Sequence, residues 1–519
     1  LAGVIVYYLI PKRFQWIWLL ILSYYFYLCS GVKTLGLIIT TTVTTFLGGI
    51  ILERIEEGRS AYFKAHKNEM AAEEKKLYKN KTKKYKRLIL VLVLVINFGM
   101  LAVIKYYGFA AENINALLSN VFHINVGLKR IDFLLPLGIS FYTFQSMGYI
   151  IDMYQGKYKA DRNIFKFALF VSYFPQILQG PIGRYNRLAH QFFERHSFDL
   201  VRIQHGLQLM AWGFFKKMVL ADRAALVVTE VFRYVHLYDG ATVLFGVLAY
   251  TLQLYADFSG GMDIVIGASE MFGITLDQNF RQPFFSNSIS DFWHRWHITL
   301  GTWMKDYVFY PFSLSKAMNK FGKFTKKIFG TTVGRCLPIC VANLLIFFIV
   351  GVWHGAQWKY IAYGMYNGLL IAASNLFEPL YPKIFRALHI NPECRAWKLF
   401  RILRTFSLVV ISFYFDVCES LYAALYMMRS TVTGFSFSTF TDGSLLALGV
   451  DKQGMCIIFA GCVIWFIISL IKEKGIDVRA ALDRKPWFIR WAVYGALVLS
   501  IPVFGKISET IGGFMYAQF

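Results

Sequence analysis

The sequence has 519 residues, of which 56% are hydrophobic and 17% charged, and this composition excludes a water-soluble fold of its size. Its net charge of +24 would indicate nucleic-acid binding in a soluble domain. Here, however, the basic residues lie between apolar segments, where Lys and Arg determine membrane orientation, so no nucleic-acid partner is expected. The seven cysteines form no CxxC pair, which argues against a disulfide framework or a zinc site.

Apolar segments of membrane-spanning length recur along the whole chain. A helix needs about 20 mostly apolar residues to cross a bilayer, and by that measure roughly a dozen segments qualify. Pro136 with Gly138, and Pro175 with Gly180, interrupt two of them, so some segments are expected to re-enter the membrane. We therefore predict an all-α polytopic membrane protein. The predicted segments are residues 1–10, 14–31, 34–52, 88–109, 133–151, 163–179, 203–221, 242–271, 333–352, 358–378, 399–427, 452–471 and 487–504.

Two basic segments predict how the chain is oriented in the membrane. Residues 53–87 are the most charged part of the sequence, and the positive-inside rule makes them a cytoplasmic loop. A second basic run, from Lys316 to Lys327, is expected on the same side. Because Leu1 already lies inside an apolar run, we expect the true amino terminus to precede it. No internal repeat is present, so residues 1–519 are predicted to form a single domain.

The segment LYADFSGGMD, residues 254–263, places polar side chains inside an apolar helix. Asp257, Ser259 and Asp263 surround two glycines there. Charged groups at membrane depth cost several kcal/mol unless they are paired or hydrated, so they indicate function by default. The small residues permit close packing of helices or the close approach of a ligand.

Aromatic residues at helical spacing follow in residues 285–311. A single helix in this region would carry an aromatic stripe with His297 at its edge, and Ser290 or Asp291 would cap its amino end. The stripe consists of Trp293, Trp296, Leu300, Trp303 and Tyr307.

His294 and His297 form an HxxH pattern in the same segment. No carboxylate or third ligand follows at the spacing that a metal site requires, so no bound metal is predicted. For each histidine, a structural role with a hydrogen-bonded ring remains an alternative to a catalytic one.

His354 follows a long apolar run and is flanked by Trp353, Gly355 and Trp358. A neutral imidazole in a confined apolar site can remove a proton from a hydroxyl group near neutral pH. The alternative is a structural histidine that donates to a backbone carbonyl between helices.

Five motifs in their usual order make the sequence similar to the membrane-bound O-acyltransferases. They are SFYTFQSMGYIID (140–152), FPQILQGPIGRY (174–185), YADFSGGMDIVIG (255–267), FWHRWHITLGTWMKDYVFYP (292–311) and GVWHGAQW (351–358). Within that superfamily the chain resembles the branch that contains alginate O-acetyltransferase and the teichoic-acid D-alanyl transferase. Residues 413–420, FYFDVCES, replace a segment that commonly contains arginine in that branch.

The resemblance implies a transmembrane tunnel in which an acyl thioester from the cytoplasmic side meets an acceptor from the outer side. It implies that His354 acts as a general base toward the acceptor hydroxyl, and that His297 positions or polarises the acyl carbonyl. Asp306 would hold helix ends in place. The residues expected to bind substrate or support the site are Trp296, Trp303, Trp353, Trp358, Asp257 and Ser259.

The function that this resemblance implies is transfer of an acetyl group across the membrane to an extracytoplasmic polysaccharide. Acetyl-CoA is the expected donor substrate, with no bound cofactor, and an esterase-like protein is the expected partner. D-alanyl transfer from a carrier protein to teichoic acid keeps the fold and changes the donor. A transporter or flippase is the alternative from a different class, because broken helices with polar residues also mark substrate pathways.

Overall fold

The computed structural model describes residues 1–506 apart from residues 69, 125, 126, 132, 134 and 235. Within these residues the regular secondary structure is helical, and a single isolated antiparallel bridge joins Phe280 to Trp296. The prediction of an all-α protein is confirmed.

The chain forms two compact units, and the first contains Leu1–Leu207 and Val265–Asp277. Short 3-10 helices cover Lys12–Phe14, Val32–Thr34 and Ala189–Phe193. Its α-helices are α1 (Ala2–Leu9), α2 (Gln15–Cys29), α3 (Leu35–Ala65), α4 (Ala72–Phe122), α5 (Ile139–Gln155), α6 (Ile164–Ser172), α7 (Phe174–Ile177) and α8 (Tyr185–Leu188).

The charged segment at residues 53–87 consists of the end of α3 and the beginning of α4, joined by a short turn. Glu56 near the end of α3 pairs with Arg59 and, at 3.0 Å, with Lys86 on α4. The rings of Tyr62 and Tyr78 stack with their centroids 4.2 Å apart. The segment predicted as a loop is therefore a helical hairpin that continues beyond the apolar part of both helices.

Helix α5 is buried along almost its whole length. It approaches α3 closely, because a Cβ atom added to Gly49 would lie 2.9 Å from the Tyr149 hydroxyl. On another side, the amide of Gln145 accepts a hydrogen bond of 2.9 Å from Gln176. Two of the sequence motifs, residues 140–152 and 174–185, therefore pack against each other in this unit.

The predicted span at residues 163–179 is interrupted, as its proline and glycine residues indicated. Helix α6 ends at Ser172, and α7 begins at Phe174 with Pro175 in its first turn. Gly180 follows at a tight turn, where an added Cβ atom would lie 2.5 Å from the Gln176 Cα. Neither helix is long enough to cross a bilayer by itself.

The second unit contains Gln208–Ile264 and residues 278–506. Two π-helical segments, Phe215–Ala221 and Lys305–Phe309, lie within it, and 3-10 helices cover Pro283–Phe285, Glu378–Leu380, Ser438–Phe440 and Ser444–Ala447. Helices α9 (Leu200–Phe214) and α11 (Gly240–Met271) belong partly to each unit. The remaining α-helices are α10 (Asp222–Arg233), α12 (Ile289–Arg295), α13 (Ile298–Met304), α14 (Tyr310–Ser313), α15 (Lys316–His354), α16 (Trp358–Phe377), α17 (Tyr381–Ala387), α18 (Arg395–Val417), α19 (Leu421–Thr433), α20 (Lys452–Glu473), α21 (Val478–Asp483) and α22 (Trp487–Phe504).

Helix α15 contains a break at Gly330, whose φ of 75° interrupts the helical backbone. Beyond the break the chain folds back, since the Thr325 hydroxyl donates a 2.8 Å hydrogen bond to the Gly334 carbonyl. The basic run of residues 316–327 therefore forms a separate helical arm on the apolar part of α15. That apolar part then packs closely on α16, where a Cβ atom added to Gly364 would overlap the Phe347 carbonyl.

Six helices within the described residues are long and apolar enough to cross a membrane. This number confirms a polytopic protein, although it is about half the number of segments predicted from hydropathy. The difference arises because several predicted segments form shorter or more polar helices. The six are Leu35–Ala65, Ala72–Phe122, Gly240–Met271, Lys316–His354, Lys452–Glu473 and Trp487–Phe504.

The orientation of the α3–α4 hairpin can be tested by proteolysis. We expect external trypsin to leave the connection between α3 and α4 intact in whole cells, because the positive-inside rule places its charges in the cytoplasm. In permeabilised cells the exposed Lys67, in the turn after α3, should be cleaved. Fragment sizes on an immunoblot are the measurement, and cleavage in whole cells would reverse the predicted orientation.

Candidate active site

The backbone turns sharply at Trp296 and His297, between α12 and α13. Trp296 is extended (φ −107°, ψ 128°), and His297 adopts a left-handed conformation (φ 46°, ψ 52°). Trp296 forms the bridge to Phe280, and this pairing takes it out of the helix. The prediction of one continuous helix with an unbroken aromatic stripe is wrong, because the stripe is divided at this turn.

The amino-terminal cap of α12 also differs from the prediction. Ser288 is the capping residue, and its hydroxyl accepts a 3.1 Å hydrogen bond from the backbone N–H of Asp291. Ser290 and Asp291 lie inside the helix, so neither is the cap. The helix begins earlier because Ser288 is the residue with the extended backbone that a capping side chain requires.

Asn279 holds the turn at His297 in place. Its side-chain oxygen accepts hydrogen bonds from the backbone N–H and the hydroxyl of Thr299, at 2.9 and 2.7 Å. The same oxygen lies 3.4 Å from the Nδ1 atom of His297. The backbone carbonyl of Asn279 accepts from the N–H of Ile298 at 3.0 Å. A left-handed non-glycine residue costs about 1–3 kcal/mol, and these contacts offset that cost.

His354 is the last residue of α15. Gly351 lies three positions before it, and Gly355 follows it directly. A Cβ atom added to Gly351 would overlap the Tyr360 carbonyl, and one added to Gly355 would overlap the Tyr360 ring. The imidazole packs edge-on against Tyr363, with centroids 5.2 Å apart. The GVWHG motif thus lets the start of α16 approach the helix end that carries His354.

The two histidines lie next to each other around Trp353. The Trp353 ring centroid is 5.7 Å from that of His297 and 5.1 Å from that of His354. Phe258 of α11 contacts the other side of His297, at 4.9 Å. The two imidazoles are only 2% and 5% exposed. The structure therefore brings together His297, His354 and Trp353, which the sequence separates by up to 57 positions.

Burial determines the protonation state of His297. Removal from water, together with the smaller electrostatic effect of His354, lowers the pKa of His297 to about 3. This imidazole is therefore neutral at pH 7 and carries one N–H and one lone pair. A neutral ring can accept or donate one hydrogen bond at each nitrogen, depending on its tautomer.

Trp296 packs in an aromatic cluster behind the histidines. Its ring centroid lies 5.0 Å from Phe280, 5.5 Å from Phe292 and 5.7 Å from Tyr255. Tyr255 in turn stacks on Trp465 of α20, at 4.6 Å. These contacts make Trp296 part of a buried wall that supports the turn at His297.

Three other predicted residues differ in how deeply they are buried. Trp303 is buried on α13 and contacts Tyr307 at 5.0 Å. Asp306 is half-buried in the π-helical turn Lys305–Phe309, and its role in holding helix ends stays a prediction. Trp358 begins α16 and is 56% exposed, unlike Trp353.

Asp257 and Ser259 bind two buried lysines that the sequence analysis did not single out. Lys217 lies 2.7 Å from Asp257 and 2.7 Å from Asp222. Lys216 lies 2.7 Å from Asp263 and donates a 2.9 Å hydrogen bond to the Ser259 hydroxyl. Adjacent lysines inside an apolar segment were the available signal, because such residues require partners.

These ion pairs join α11 to the π-helical segment Phe215–Ala221. The predicted close packing at the glycines of α11 is confirmed. A Cβ atom added to Gly213 would lie 2.5 Å from the Gly260 carbonyl oxygen, and one added to Gly260 would lie 2.8 Å from the Gly213 carbonyl oxygen. Phe258, which contacts His297, lies between the two residues that bind the lysines. The network therefore fixes the part of α11 that supports the histidine.

The HxxH pattern does not bring its two histidines together. His294 is exposed, and its Nδ1 atom lies 2.6 Å from the Ser290 carbonyl of the preceding turn. His297 lies beyond the helix break and is buried. Among the residues that the structure describes, no group of three or more His, Cys, Asp or Glu side chains is arranged to hold a metal ion.

A second buried polar group lies where α16 begins. The carboxylate of Asp416 accepts a 2.7 Å hydrogen bond from the Tyr250 hydroxyl. The Lys359 ammonium donates to the backbone carbonyls of Asp416 and Cys418, at 3.0 and 2.7 Å. The unusual FYFDVCES segment is thus tied to the residue that follows Trp358, five positions after His354.

The pair of Lys216 and Asp263 can be tested by a double-mutant cycle. We expect Lys216→Met to lower stability by about 3–5 kcal/mol, because it leaves a charge without its partner, and Lys216→Met/Asp263→Leu to cost much less. The melting temperature of the purified protein in detergent is the measurement, with the exposed Lys323→Met as control. Additive losses in the double variant would show that the two side chains are not coupled.

Comparisons with known proteins identify the family of the chain. The profile of the membrane-bound O-acyltransferase family matches residues 159–326 and 331–415. A probable alginate O-acetylase of Pseudomonas syringae pv. tomato is 34% identical over 448 residues, covering 86% of this chain and 75% of the relative. A peptidoglycan O-acetyltransferase of Helicobacter pylori is 29% identical over 555 residues, covering 98% of this chain and 92% of the relative.

A teichoic acid D-alanyltransferase of Bacillus subtilis is 29% identical over 285 residues, covering 54% of this chain and 67% of the relative. The family match includes His297 and His354 with the turn and the helix end that carry them. The resemblance inferred from the five motifs is confirmed. The chain therefore belongs to the membrane-bound O-acyltransferase family and is a multi-pass enzyme of the bacterial cell membrane.

Proposed function

We propose that this acyltransferase moves an acetyl group from acetyl-CoA on the cytoplasmic side to hydroxyl groups of an extracytoplasmic polysaccharide. The observation that carries the proposal is the pair of buried imidazoles, His297 and His354, which both pack against Trp353. Acyl transfer from a thioester to a hydroxyl needs a group that takes a proton and a site that excludes water. The two imidazoles supply the group that takes a proton, and the aromatic side chains around them exclude water.

The chemistry requires two proton movements. The acceptor oxygen attacks the thioester carbonyl carbon as its proton leaves, and the departing thiolate receives a proton as the C–S bond breaks. An imidazole suits both movements because it exchanges a proton near neutral pH. The motif match favours His354 as the general base, and His297 completes the site beside it.

The relatives favour acetyl transfer to a polysaccharide. The alginate O-acetylase and the peptidoglycan O-acetyltransferase cover 86% and 98% of this chain, and both names describe O-acetylation of a polysaccharide. The D-alanyltransferase covers only 54% of the chain. A D-alanyl donor is therefore the less well supported candidate, and we propose acetyl as the transferred group.

A partner protein with an esterase-like domain would complete the transfer to the polymer. Within the described residues the regular secondary structure of the chain is helical, and six of its helices are long and apolar enough to cross a membrane. An acceptor on the outer side can receive the acetyl group through such a partner. The membrane lipids around the six apolar helices are its other expected partners.

The catalytic assignment of His354 can be tested with purified protein in liposomes and radiolabelled acetyl-CoA. We expect label release or transfer by the wild type, and a loss on the order of 100-fold or more in His354→Ala, since general acid–base catalysis contributes that much. His294→Ala is the matched control, because that histidine is exposed and contacts only the carbonyl of its own helix among the contacts described. Near-normal turnover in His354→Ala would contradict the assignment.

The second histidine requires a separate test of donor binding. We expect His297→Ala to reduce transfer severely while the affinity for acetyl-CoA changes little, because the ring lies at the reacting end of the site. Equilibrium binding of labelled acetyl-CoA, measured beside turnover, separates the two effects. Loss of folded protein without a change in turnover per folded molecule would instead indicate a structural role.

A further inference from the structure

We infer that Asn279 is a positioning residue that fixes the tautomer of His297 with the proton on Nδ1, so that Nε2 presents a lone pair to the substrate. This inference rests on the proposed function only for the identity of the substrate. The tautomer itself follows from the hydrogen bonds around Asn279.

The side-chain amide of Asn279 has a defined orientation. The atom that faces Thr299 receives two donors, the backbone N–H at 2.9 Å and the hydroxyl at 2.7 Å. A backbone N–H can only donate, so this atom is the amide oxygen. The amide nitrogen lies on the opposite side, where it donates to the sulfur of Met262 at 3.4 Å. Reversing the amide would place two N–H groups against each other.

The orientation of the amide determines which nitrogen of His297 carries the proton. The Nδ1 atom lies 3.4 Å from the same oxygen of Asn279. A protonated Nδ1 donates a long hydrogen bond to that oxygen, whereas a deprotonated Nδ1 would oppose its lone pair to those of the oxygen. The ring is neutral at pH 7, so the proton on Nδ1 leaves Nε2 without one.

The contact is rigid because both ends are anchored. Asn279 is 1% exposed, and its backbone carbonyl binds the residue that follows His297. Next to this contact, Phe280 bridges to Trp296, and beyond it the Arg281 N–H donates to the Arg295 carbonyl at 3.0 Å. The segment with Asn279 and the turn at His297 therefore form one antiparallel unit in which the side chains cannot slide past each other.

This tautomer determines which kind of hydrogen bond His297 can form with the substrate. A lone pair on Nε2 accepts a hydrogen bond from the substrate and cannot polarise the acyl carbonyl by donation. In the transfer proposed above, the acceptor oxygen attacks the thioester carbon as its proton passes to His354, and that proton then passes to the departing thiolate as the C–S bond breaks. The products are an ester and a free thiol. His297 keeps its own proton on Nδ1 throughout and binds the substrate as a hydrogen-bond acceptor through Nε2.

This role differs from the one that the family resemblance implied for His297, which was to position or polarise the carbonyl. Donation to a carbonyl oxygen would need the proton on Nε2. The sequence alone could not distinguish the two roles, because Asn279 precedes His297 by 18 positions and carries no recognisable motif of its own.

The tautomer can be measured without any substrate. Protein labelled with ¹⁵N-histidine, reconstituted in liposomes at neutral pH, gives distinct solid-state NMR signals for protonated and deprotonated imidazole nitrogens. His297→Gln identifies the signals of this residue among the ten histidines. We expect a protonated Nδ1 and a deprotonated Nε2. A protonated Nε2, or protonation of both nitrogens, would overturn the inference even if acetyl transfer is confirmed.

Substitutions at Asn279 test whether the tautomer matters for turnover. Asn279→Leu removes the acceptor, and we expect kcat to fall on the order of 100-fold with KM for acetyl-CoA nearly unchanged. Asn279→Asp keeps an acceptor for Nδ1–H and should recover most of that loss. Asn97→Leu is the matched control, since Asn97 is a fully buried asparagine of α4 with hydrogen bonds to Thr44 and Val93.

The outcomes separate this inference from the proposed function. Wild-type kcat in folded Asn279→Leu, or an equal loss in Asn279→Leu and Asn279→Asp, would contradict the positioning role. If Asn279→Leu does not fold, the Asn279→Asp variant and the wild-type NMR signals still decide the question. If the wild type transfers no acetyl group, the proposed donor is wrong, and the NMR result stands by itself.

Discussion

The structure depends on the high cost of leaving a polar group without a partner in an apolar interior. Lys216 and Lys217 lie in a segment that reads as a membrane span, and each binds a carboxylate of α11 at 2.7 Å. Removing one partner from such a pair costs far more than replacing both, so the pairs specify how the two segments fit together. Because Phe258 lies between the residues that bind the lysines, the same ion pairs fix the position of Phe258 against His297.

The two histidines reach the site by different structural means. His354 is placed by the end of a long helix, and glycines on either side of it admit Tyr360 of the next helix. His297 lies at a strained turn that exists because Asn279 and the bridge at Trp296 hold the backbone away from the helix. Trp353 contacts both rings.

The combination of burial and defined hydrogen bonding suits the acyl transfer proposed above. A site that excludes water would protect the proposed thioester donor from hydrolysis, and a neutral imidazole can take a proton from a hydroxyl group and pass it to the departing group. The aromatic cluster around Trp296 supplies the dry wall, while Asn279 supplies the hydrogen bond that orients one ring. The buried polar group at Lys359 and Asp416 ties down the chain just after His354, so both catalytic candidates stand on anchored segments.

The sequence by itself determined the all-α membrane class and the family, because hydropathy and ordered motifs are local signals. It also predicted His297 and His354 as the catalytic candidates. It also indicated Asp257 and Ser259 as polar residues that need partners, and the glycines of α11 as a site of close packing. Only the tertiary structure decided that the aromatic stripe is broken at Trp296, since the bridging residue Phe280 lies on another segment. The lysines that bind α11, and the asparagine that orients His297, are likewise distant in sequence. Hydrogen bonds between segments far apart along the chain leave no periodic pattern, and so they become visible only when the chain has folded.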